Sequence, residues 1–187
     1  MIWNIPNLLT VLRIVLIPVF VLVFFSPYSW ANIASTAIFG LAALTDWLDG
    51  YLARRLKQLS VFGAFLDPVA DKLRVAVALV LLVQDNPTMV FAIPAAVIVG
   101  REIAISALRE WMSEIGERTK VKVSVIGKVK TIAQMVSILL LLFKTPIGPF
   151  PTHDVGMILI YVAAVLTLWS MIVYMRAAWP VIVGNSS

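Results

Sequence analysis

Asp-Trp-Leu-Asp-Gly-Tyr-Leu-Ala-Arg occupies residues 46–54, and Gly-Ala-Phe-Leu-Asp-Pro-Val-Ala-Asp follows after eight more residues, at 63–71. The four aspartates, Asp46, Asp49, Asp67 and Asp71, lie inside or next to strongly apolar segments. A carboxylate at bilayer depth costs several kcal/mol unless something compensates it, so such acids indicate a functional site. Spacings of three and four place each pair on one face of a helix.

These two pairs offer four hard oxygen ligands on consecutive predicted helices. Such ligands suit Mg²⁺ or Mn²⁺, and the array predicts one or two of these ions. The alternative is a buried salt network in which the acids pair with Arg54, Lys72 and Arg74. We favour the metal site, because a salt network would have no need of Gly50 and Gly63.

Composition identifies an integral membrane protein. The chain has 187 residues, 61% of them hydrophobic, and a soluble domain of this size could not hide so much apolar side chain from water. It contains no cysteine, which excludes disulfides, thiolate metal sites and cysteine nucleophiles. We find no linker, repeat or removable signal peptide, and we expect one domain over residues 1–187.

Apolar segments long enough to cross a membrane predict an all-α, polytopic protein. Turn residues at Ser26-Pro27, Asp85-Asn86-Pro87 and 146–149 separate them. A short amphipathic segment from Trp3 to Asn7 should lie along the interface. The six predicted transmembrane helices cover about 8–25, 32–53, 65–84, 88–110, 126–144 and 155–175.

The basic residues predict the orientation. All of them except Lys144 fall on one side of this trace. The positive-inside rule then places both termini and the aspartates on the cytoplasmic side of the membrane. The net charge of +5 is concentrated at that face, where it would attract anionic lipids and anionic substrates. We expect no nucleic-acid partner.

The fixed positions Asp-x2-Asp-Gly-x2-Ala-Arg-x8-Gly-x3-Asp-x3-Asp are the signature of the CDP-alcohol phosphotransferases, and the chain resembles that family at all eight of them. The resemblance implies a six-helix membrane fold, usually dimeric. It also implies transfer of a phosphatidyl or similar group from a CDP-linked lipid to an alcohol, with release of CMP.

The resemblance also implies a role for each signature residue. Two divalent metals would be bound by Asp46, Asp49, Asp67 and Asp71, and Asp71 would also be the general base that accepts the proton of the acceptor hydroxyl. The cytidine and phosphates of the CDP-lipid would be held by the same region of the chain. The residues of that binding site are Asp46, Asp49, Gly50, Ala53, Arg54, Gly63 and Asp67.

Further stretches are similar to bacterial members of the family that join CDP-diacylglycerol to sn-glycerol 3-phosphate. They lie at 4–13, 45–50, 62–72, 101–111 and 126–131. An acceptor that carries a phosphate needs a second, cationic pocket, and an unpaired Arg101 would be costly inside its apolar run. The candidates for this pocket are Arg101, Arg109, Lys128 and Lys130, with Thr10 and Arg13 of the first helix.

Two alternatives remain. The same chemistry could serve another acceptor, such as serine, an inositol phosphate or phosphatidylglycerol, although a neutral or zwitterionic acceptor would not need four cations. A divalent-cation transporter built on the aspartates is the other alternative. It predicts acids or broken helices that reach the far side of the membrane, and the chain has none.

Overall fold

The computed structural model describes residues 5–56, 61–116 and 125–184, except for the side chains of 5, 6, 47–56, 61, 62, 64, 125, 126, 128, 181 and 182. The described residues form six α-helices and no strand, apart from an isolated bridge between Ile147 and Phe150. The prediction of an all-α protein is confirmed. In chain order the helices are α1 (Ile5–Phe24), α2 (Ala31–Leu56), α3 (Val61–Asp85), α4 (Met89–Glu114), α5 (Val125–Phe143) and α6 (Thr152–Gly184).

Turn residues separate the helices where the sequence predicts. Pro27 follows α1 and Pro87 lies between α3 and α4, as expected for a residue that lacks a backbone donor. The connection after α5 turns sharply, because Lys144 and Gly148 both have positive φ, at 60° and 58°. Thr152, the first residue of α6, donates a hydrogen bond across this turn to the carbonyl of Thr145 at 3.1 Å.

Large apolar side chains are exposed along the helices, for example Leu22, Val80, Met89 and Ile132. A lipid environment accounts for this exposure, whereas water-soluble proteins rarely expose apolar surface so extensively. Within the part of the chain that the structure describes, three helices are long and apolar enough to cross a membrane: Asn7–Phe24, Met89–Glu114 and Thr152–Pro180. The chain is therefore a membrane protein of the all-α class.

The apolar part of α5, Val129–Phe143, is shorter, and α2 and α3 carry the charged signature. That all six helices cross the membrane stays a prediction. Trp3 and Asn4 of the predicted interfacial segment lie outside the described residues, and Ile5 to Asn7 already belong to α1.

The chain divides into two compact units. The first comprises residues 1–85 and 139–153, and in it α1 packs against both α2 and α3. Phe20 of α1 and Phe39 of α2 are buried with ring centroids 6.2 Å apart. This apolar packing holds α1 against α2 and so helps to position the polar residues of both helices.

The second unit comprises residues 86–138 and 154–187. Its helices α4, α5 and α6 are joined by polar contacts, one of them exposed and one buried. Tyr161 of α6 donates to the carbonyl of Val90 on α4 at 2.6 Å, and Ser137 of α5 donates to the carbonyl of Gly156 on α6 at 2.7 Å. That residues 1–187 form one domain stays a prediction.

Candidate active site

Three of the four predicted aspartates converge on one guanidinium. Arg13 of α1 lies between Asp46 of α2 and the two acids of α3, with Nη1 2.7 Å from Asp46 Oδ1 and 3.5 Å from Asp71 Oδ1, and Nη2 3.2 Å from Asp67 Oδ1. The spacing of four between Asp67 and Asp71 places both on the face of α3 that meets α1. We refer to Asp46, Asp67 and Asp71 with Arg13 as the acid cluster.

Thr10, one turn before Arg13, completes the contacts of α1 with this cluster. Its hydroxyl donates to Asp67 Oδ1 and accepts a hydrogen bond from Arg13 Nη2 at 3.3 Å. A hydroxyl can donate one hydrogen bond and accept another, so Thr10 contacts the carboxylate of Asp67 and the guanidinium of Arg13 at the same time. Thr10 and Arg13 therefore present one polar face of α1 to the aspartates.

Burial differs between the two charges of the cluster. The side chain of Arg13 is 2% exposed, whereas those of Asp46 and Asp71 are 38% exposed and that of Asp67 is 44% exposed. A buried guanidinium needs paired carboxylates to offset its lost hydration. The carboxylates themselves stay accessible from outside the protein.

A second arginine, the buried Arg74 of α3, also contacts Asp71. Its Nη2 is 3.4 Å from Asp71 Oδ1, and its Cζ lies 5.3 Å from the centroid of the Phe39 ring. Its Nε and Nη1 are buried without a hydrogen-bond partner among the described residues. A small cavity beside it is lined by Arg13, Leu16, Ile17, Phe20, Ile38, Phe39, Ala42 and Arg74.

Asp71 is thus held by two arginines. Of the pairings in the alternative salt network, the contact of Arg74 with Asp71 is present, while Lys72 is exposed and the side chain of Arg54 is not described.

The ligand atoms available here are of the chemical type that a hard divalent cation prefers. Three carboxylate oxygens from two helices lie within 3.5 Å of one positively charged group, and carboxylates are the ligands that Mg²⁺ and Mn²⁺ prefer. Among the described side chains no group of three or more His, Cys, Asp or Glu residues has the spacing of a formed metal site. The guanidinium of Arg13 stands at the point on which these oxygens converge, and the side chain of Asp49 lies outside the described residues.

Several predicted residues of the CDP-lipid site fall outside the described side chains. Asp49, Gly50, Ala53 and Arg54 belong to α2 by their backbone. Gly63 is described: it is buried on α3, one turn before Asp67. The absence of a side chain there suits the close approach of a ligand or a neighbouring helix.

Three of the predicted acceptor residues come together in the second unit. Arg101 of α4 and Lys130 of α5 are buried and share one carboxylate, with Glu102 Oε2 3.2 Å from Arg101 Nη1 and 3.7 Å from Lys130 Nζ. Arg101 Nη2 also donates to Ser170 Oγ of α6 at 3.0 Å. We refer to Arg101, Arg109 and Lys130 with Glu102 as the basic cluster.

Arg109 joins this cluster through an aromatic side chain. Its Nη2 donates to the hydroxyl of Tyr174 at 2.8 Å, and its Cζ lies 5.0 Å from the centroid of that ring. Arg101 Cζ lies 5.8 Å from the same centroid. The ring of Tyr174 therefore contacts both arginines of α4.

The remaining acceptor candidates lie elsewhere. Arg13 belongs to the acid cluster and Thr10 is hydrogen-bonded to it, while the side chain of Lys128 lies outside the described residues. Ser170 and Tyr174 were not identified from the sequence. They are spaced by four, with Thr167 three residues before Ser170, so a polar stripe on the otherwise apolar α6 was the available signal.

Comparison with known proteins identifies the family of the chain. The family model described as CDP-alcohol phosphatidyltransferase matches residues 3–169. The chain belongs to this family of membrane transferases. The matched range includes all of the acid cluster and all of the basic cluster, but not Ser170 and Tyr174.

Bacterial relatives are similar over nearly the whole chain. A protein from Pseudomonas fluorescens is 56% identical over 178 residues, which are 95% of this chain and 91% of the relative. Relatives from Yersinia pestis (strain Pestoides F) and Salmonella typhimurium are 55% and 54% identical over 94% of this chain and 95% of their own lengths. All three are called CDP-diacylglycerol--glycerol-3-phosphate 3-phosphatidyltransferase.

Proposed function

We propose that the protein transfers the phosphatidyl group of CDP-diacylglycerol to sn-glycerol 3-phosphate, giving phosphatidylglycerol phosphate and CMP. The names of the bacterial relatives support this reaction, and so does family membership over residues 3–169. The observation that carries the choice of acceptor is the basic cluster, in which Arg101 and Lys130 share one carboxylate and Arg109 and Arg101 contact one aromatic ring. Such a group of cations suits a phosphate better than a neutral alcohol.

The donor side of the reaction belongs to the acid cluster. Enzymes of this family depend on divalent cations, and we propose that Asp46, Asp49, Asp67 and Asp71 hold two of them, Mg²⁺ or Mn²⁺. Bound there, such ions neutralise charge on the diphosphate and on the departing phosphate. Further contacts to the CDP-lipid come from the signature residues Gly50, Ala53, Arg54 and Gly63.

Asp71 is the proposed general base. It accepts the proton of the acceptor hydroxyl while that oxygen bonds to the phosphorus next to diacylglycerol, and the bond from this phosphorus to CMP breaks. A carboxylate held in place by Arg13 and Arg74 needs little reorganisation for this task, and positioning supplies much of the catalysis. No covalent enzyme intermediate is needed.

On the acceptor side, Arg101, Arg109 and Lys130 bind the phosphate of sn-glycerol 3-phosphate, together with Lys128. The contacts of Thr10 and Arg13 favour a different role from the predicted one. We assign them to organising the carboxylates of α2 and α3, because Thr10 is hydrogen-bonded to Asp67 and Arg13 is paired with three carboxylates, whereas Arg101 is paired with one.

The apolar helices and the bacterial relatives place the protein in a bacterial inner membrane. Within it, we propose that both termini and the active site face the cytoplasm, where the water-soluble acceptor is available, and that the enzyme is a homodimer in contact with anionic lipids. The asymmetric distribution of basic residues supports the orientation.

An acceptor panel tests the proposal. Purified protein receives CDP-diacylglycerol and Mg²⁺ or Mn²⁺ with sn-glycerol 3-phosphate, serine, inositol, inositol phosphate or phosphatidylglycerol, and CMP is measured for each. We expect sn-glycerol 3-phosphate to give the highest kcat/KM, and an Asp71→Asn preparation to form CMP far more slowly than the parent. Preference for a neutral acceptor would refute the assignment.

A further inference from the structure

We infer that Tyr174 of α6 is a positioning residue that sets the places of Arg101 and Arg109 in the acceptor site, with Ser170 as its partner one turn earlier. The inference rests on the proposed function and adds a specificity element from a helix that contributes no signature residue. Both side chains lie beyond residue 169, where the match to the family model ends. All four residues belong to the second unit.

Tyr174 contacts each arginine in a different way. For Arg109 it provides both a hydrogen bond from Nη2 to the hydroxyl, at 2.8 Å, and a ring face 5.0 Å from Cζ. For Arg101 it provides the ring alone, with Cζ 5.8 Å from the centroid. Both distances are within the range of a cation–π interaction.

Ser170 restrains Arg101 from the same helix. Its hydroxyl donates to the carbonyl of Thr167 at 2.8 Å, which leaves its lone pairs for Arg101 Nη2 at 3.0 Å. Residues spaced by four share a helix face, so Ser170 and Tyr174 support the two arginines from one side. Arg101 is then fixed by Glu102, Ser170 and the ring together.

A neutral support matters because the arginines must keep their charge available. A carboxylate in the place of Tyr174 would hold both guanidiniums, but it would also neutralise them and compete with the phosphate of the substrate. The π face attracts a cation through its quadrupole without carrying a net charge. Arg109 is exposed, so without this restraint its side chain would sample many rotamers before substrate binds.

The test compares Tyr174→Phe and Tyr174→Leu with the parent protein, using Tyr161→Phe as a matched control. Tyr161 is also on α6 and also hydrogen-bonds to α4, but through the backbone of Val90 and without an arginine. Tyr174→Leu should raise the KM for sn-glycerol 3-phosphate roughly tenfold, and Tyr174→Phe, which keeps the ring, roughly threefold. The KM for CDP-diacylglycerol should stay unchanged in both, and Tyr161→Phe should change neither KM.

An unchanged acceptor KM in Tyr174→Leu would overturn the inference. So would equal changes in kcat and in both KM values, which indicate a structural role only.

A second measurement separates this inference from the proposed reaction. Inorganic phosphate should raise the thermal unfolding midpoint of the detergent-solubilised parent and of Tyr161→Phe, and it should raise that of Tyr174→Leu less. Equal stabilisation in all three would overturn the positioning role, whichever acceptor the parent turns over. If the parent forms no CMP with sn-glycerol 3-phosphate but Tyr174→Leu loses the phosphate response, the proposed reaction fails and the positioning role stands.

Discussion

The acid cluster and the basic cluster differ in sign but share one arrangement: apart from the exposed Arg109, the cations are buried, whereas the anions are partly exposed. Arg13, Arg74, Arg101 and Lys130 have side chains at most 9% exposed, whereas the side chains of Asp46, Asp67, Asp71 and Glu102 are between 37% and 44% exposed. The long apolar stem of an arginine or lysine can be buried among apolar side chains while the charged group at its tip reaches a polar partner. Aspartate and glutamate have shorter stems and cannot do this.

This shared arrangement has opposite consequences for binding. In the acid cluster the exposed groups are the ones that would ligate a cation, with Arg13 and Arg74 behind them. In the basic cluster the groups that would bind a phosphate include the buried ones, and their exposed carboxylate, Glu102, is a competitor. Among the described side chains, three carboxylates face two guanidiniums in the first cluster, and three cations face one carboxylate in the second. The first cluster thus keeps an excess of negative charge for the cations that it would hold, and the second keeps an excess of positive charge for a phosphate.

The largest expected effect is that of Asp71→Asn in the acid cluster. The amide keeps the shape but cannot accept the proton of the acceptor, so CMP release should fall by roughly 10³-fold while CDP-lipid binding is largely retained. CMP formation and CDP-lipid binding are measured in parallel. Asp85→Asn, at the last residue of the same helix, is the control because Asp85 pairs with Lys144 instead. Turnover at the parent rate would remove Asp71 from the role of base.

Arg13→Gln tests whether the acid cluster needs its buried cation. Without divalent ions the three carboxylates would lose their shared partner, and we expect a destabilisation of about 1–3 kcal/mol, less than for a fully buried pair because the acids are partly exposed. Mg²⁺ should then raise the unfolding midpoint more in the variant than in the parent, since the ion replaces the missing charge. Thermal unfolding with and without Mg²⁺ measures this.

Arg176→Gln, at an exposed position of α6, is the control for Arg13→Gln. Identical midpoints and an identical response to Mg²⁺ in Arg13→Gln and the parent would show that Arg13 is not the counter-charge of the acids.

In the basic cluster, Arg109→Ala should raise the KM for sn-glycerol 3-phosphate roughly tenfold, through loss of a charge-assisted hydrogen bond to the phosphate. The KM for CDP-diacylglycerol should be unaffected, because the donor belongs to the acid cluster. Steady-state kinetics with each substrate varied in turn gives both values, and Arg176→Ala serves as the matched loss of an exposed arginine. An acceptor KM like that of the parent would exclude Arg109 from the pocket.

Glu102→Gln should have the smallest effect and the opposite sign. Removing the carboxylate that Arg101 and Lys130 share frees both for the substrate, so the acceptor KM should fall by about two- to fivefold. The same kinetic assay measures it, with Glu110→Gln on the exposed surface of α4 as the control. A higher KM would mean that Glu102 positions its cations more than it competes for them.

Most of the features that the sequence predicts correctly are local along the chain. The helices end near the predicted turn residues, and the pair Asp67 and Asp71 shares a helix face as its spacing requires. Arg101, whose isolated guanidinium would be costly in an apolar run, contacts Glu102, Ser170 and Tyr174, while its binding of the acceptor phosphate stays a prediction. Family membership followed from eight fixed positions within 26 residues.

The contacts that could not be predicted join distant parts of the chain. Arg13 was grouped with the acceptor residues because its charge suits an anion, yet the packing of α1 on α2 and α3 brings it to Asp46, 33 residues away, and Asp67, 54 residues away. Ser170 and Tyr174 meet Arg101 and Arg109 across 69 and 65 residues. Local periodicity carries no information about such partners.

By itself, the sequence determined which segments are helices, that the chain belongs in a membrane and that Asp67 and Asp71 share a helix face, because hydrophobicity and helical spacing are properties of neighbouring residues. Only the tertiary structure decided which charge faces which. That choice depends on how separate helices pack, and the cost of leaving a buried arginine unpaired then selects its partners.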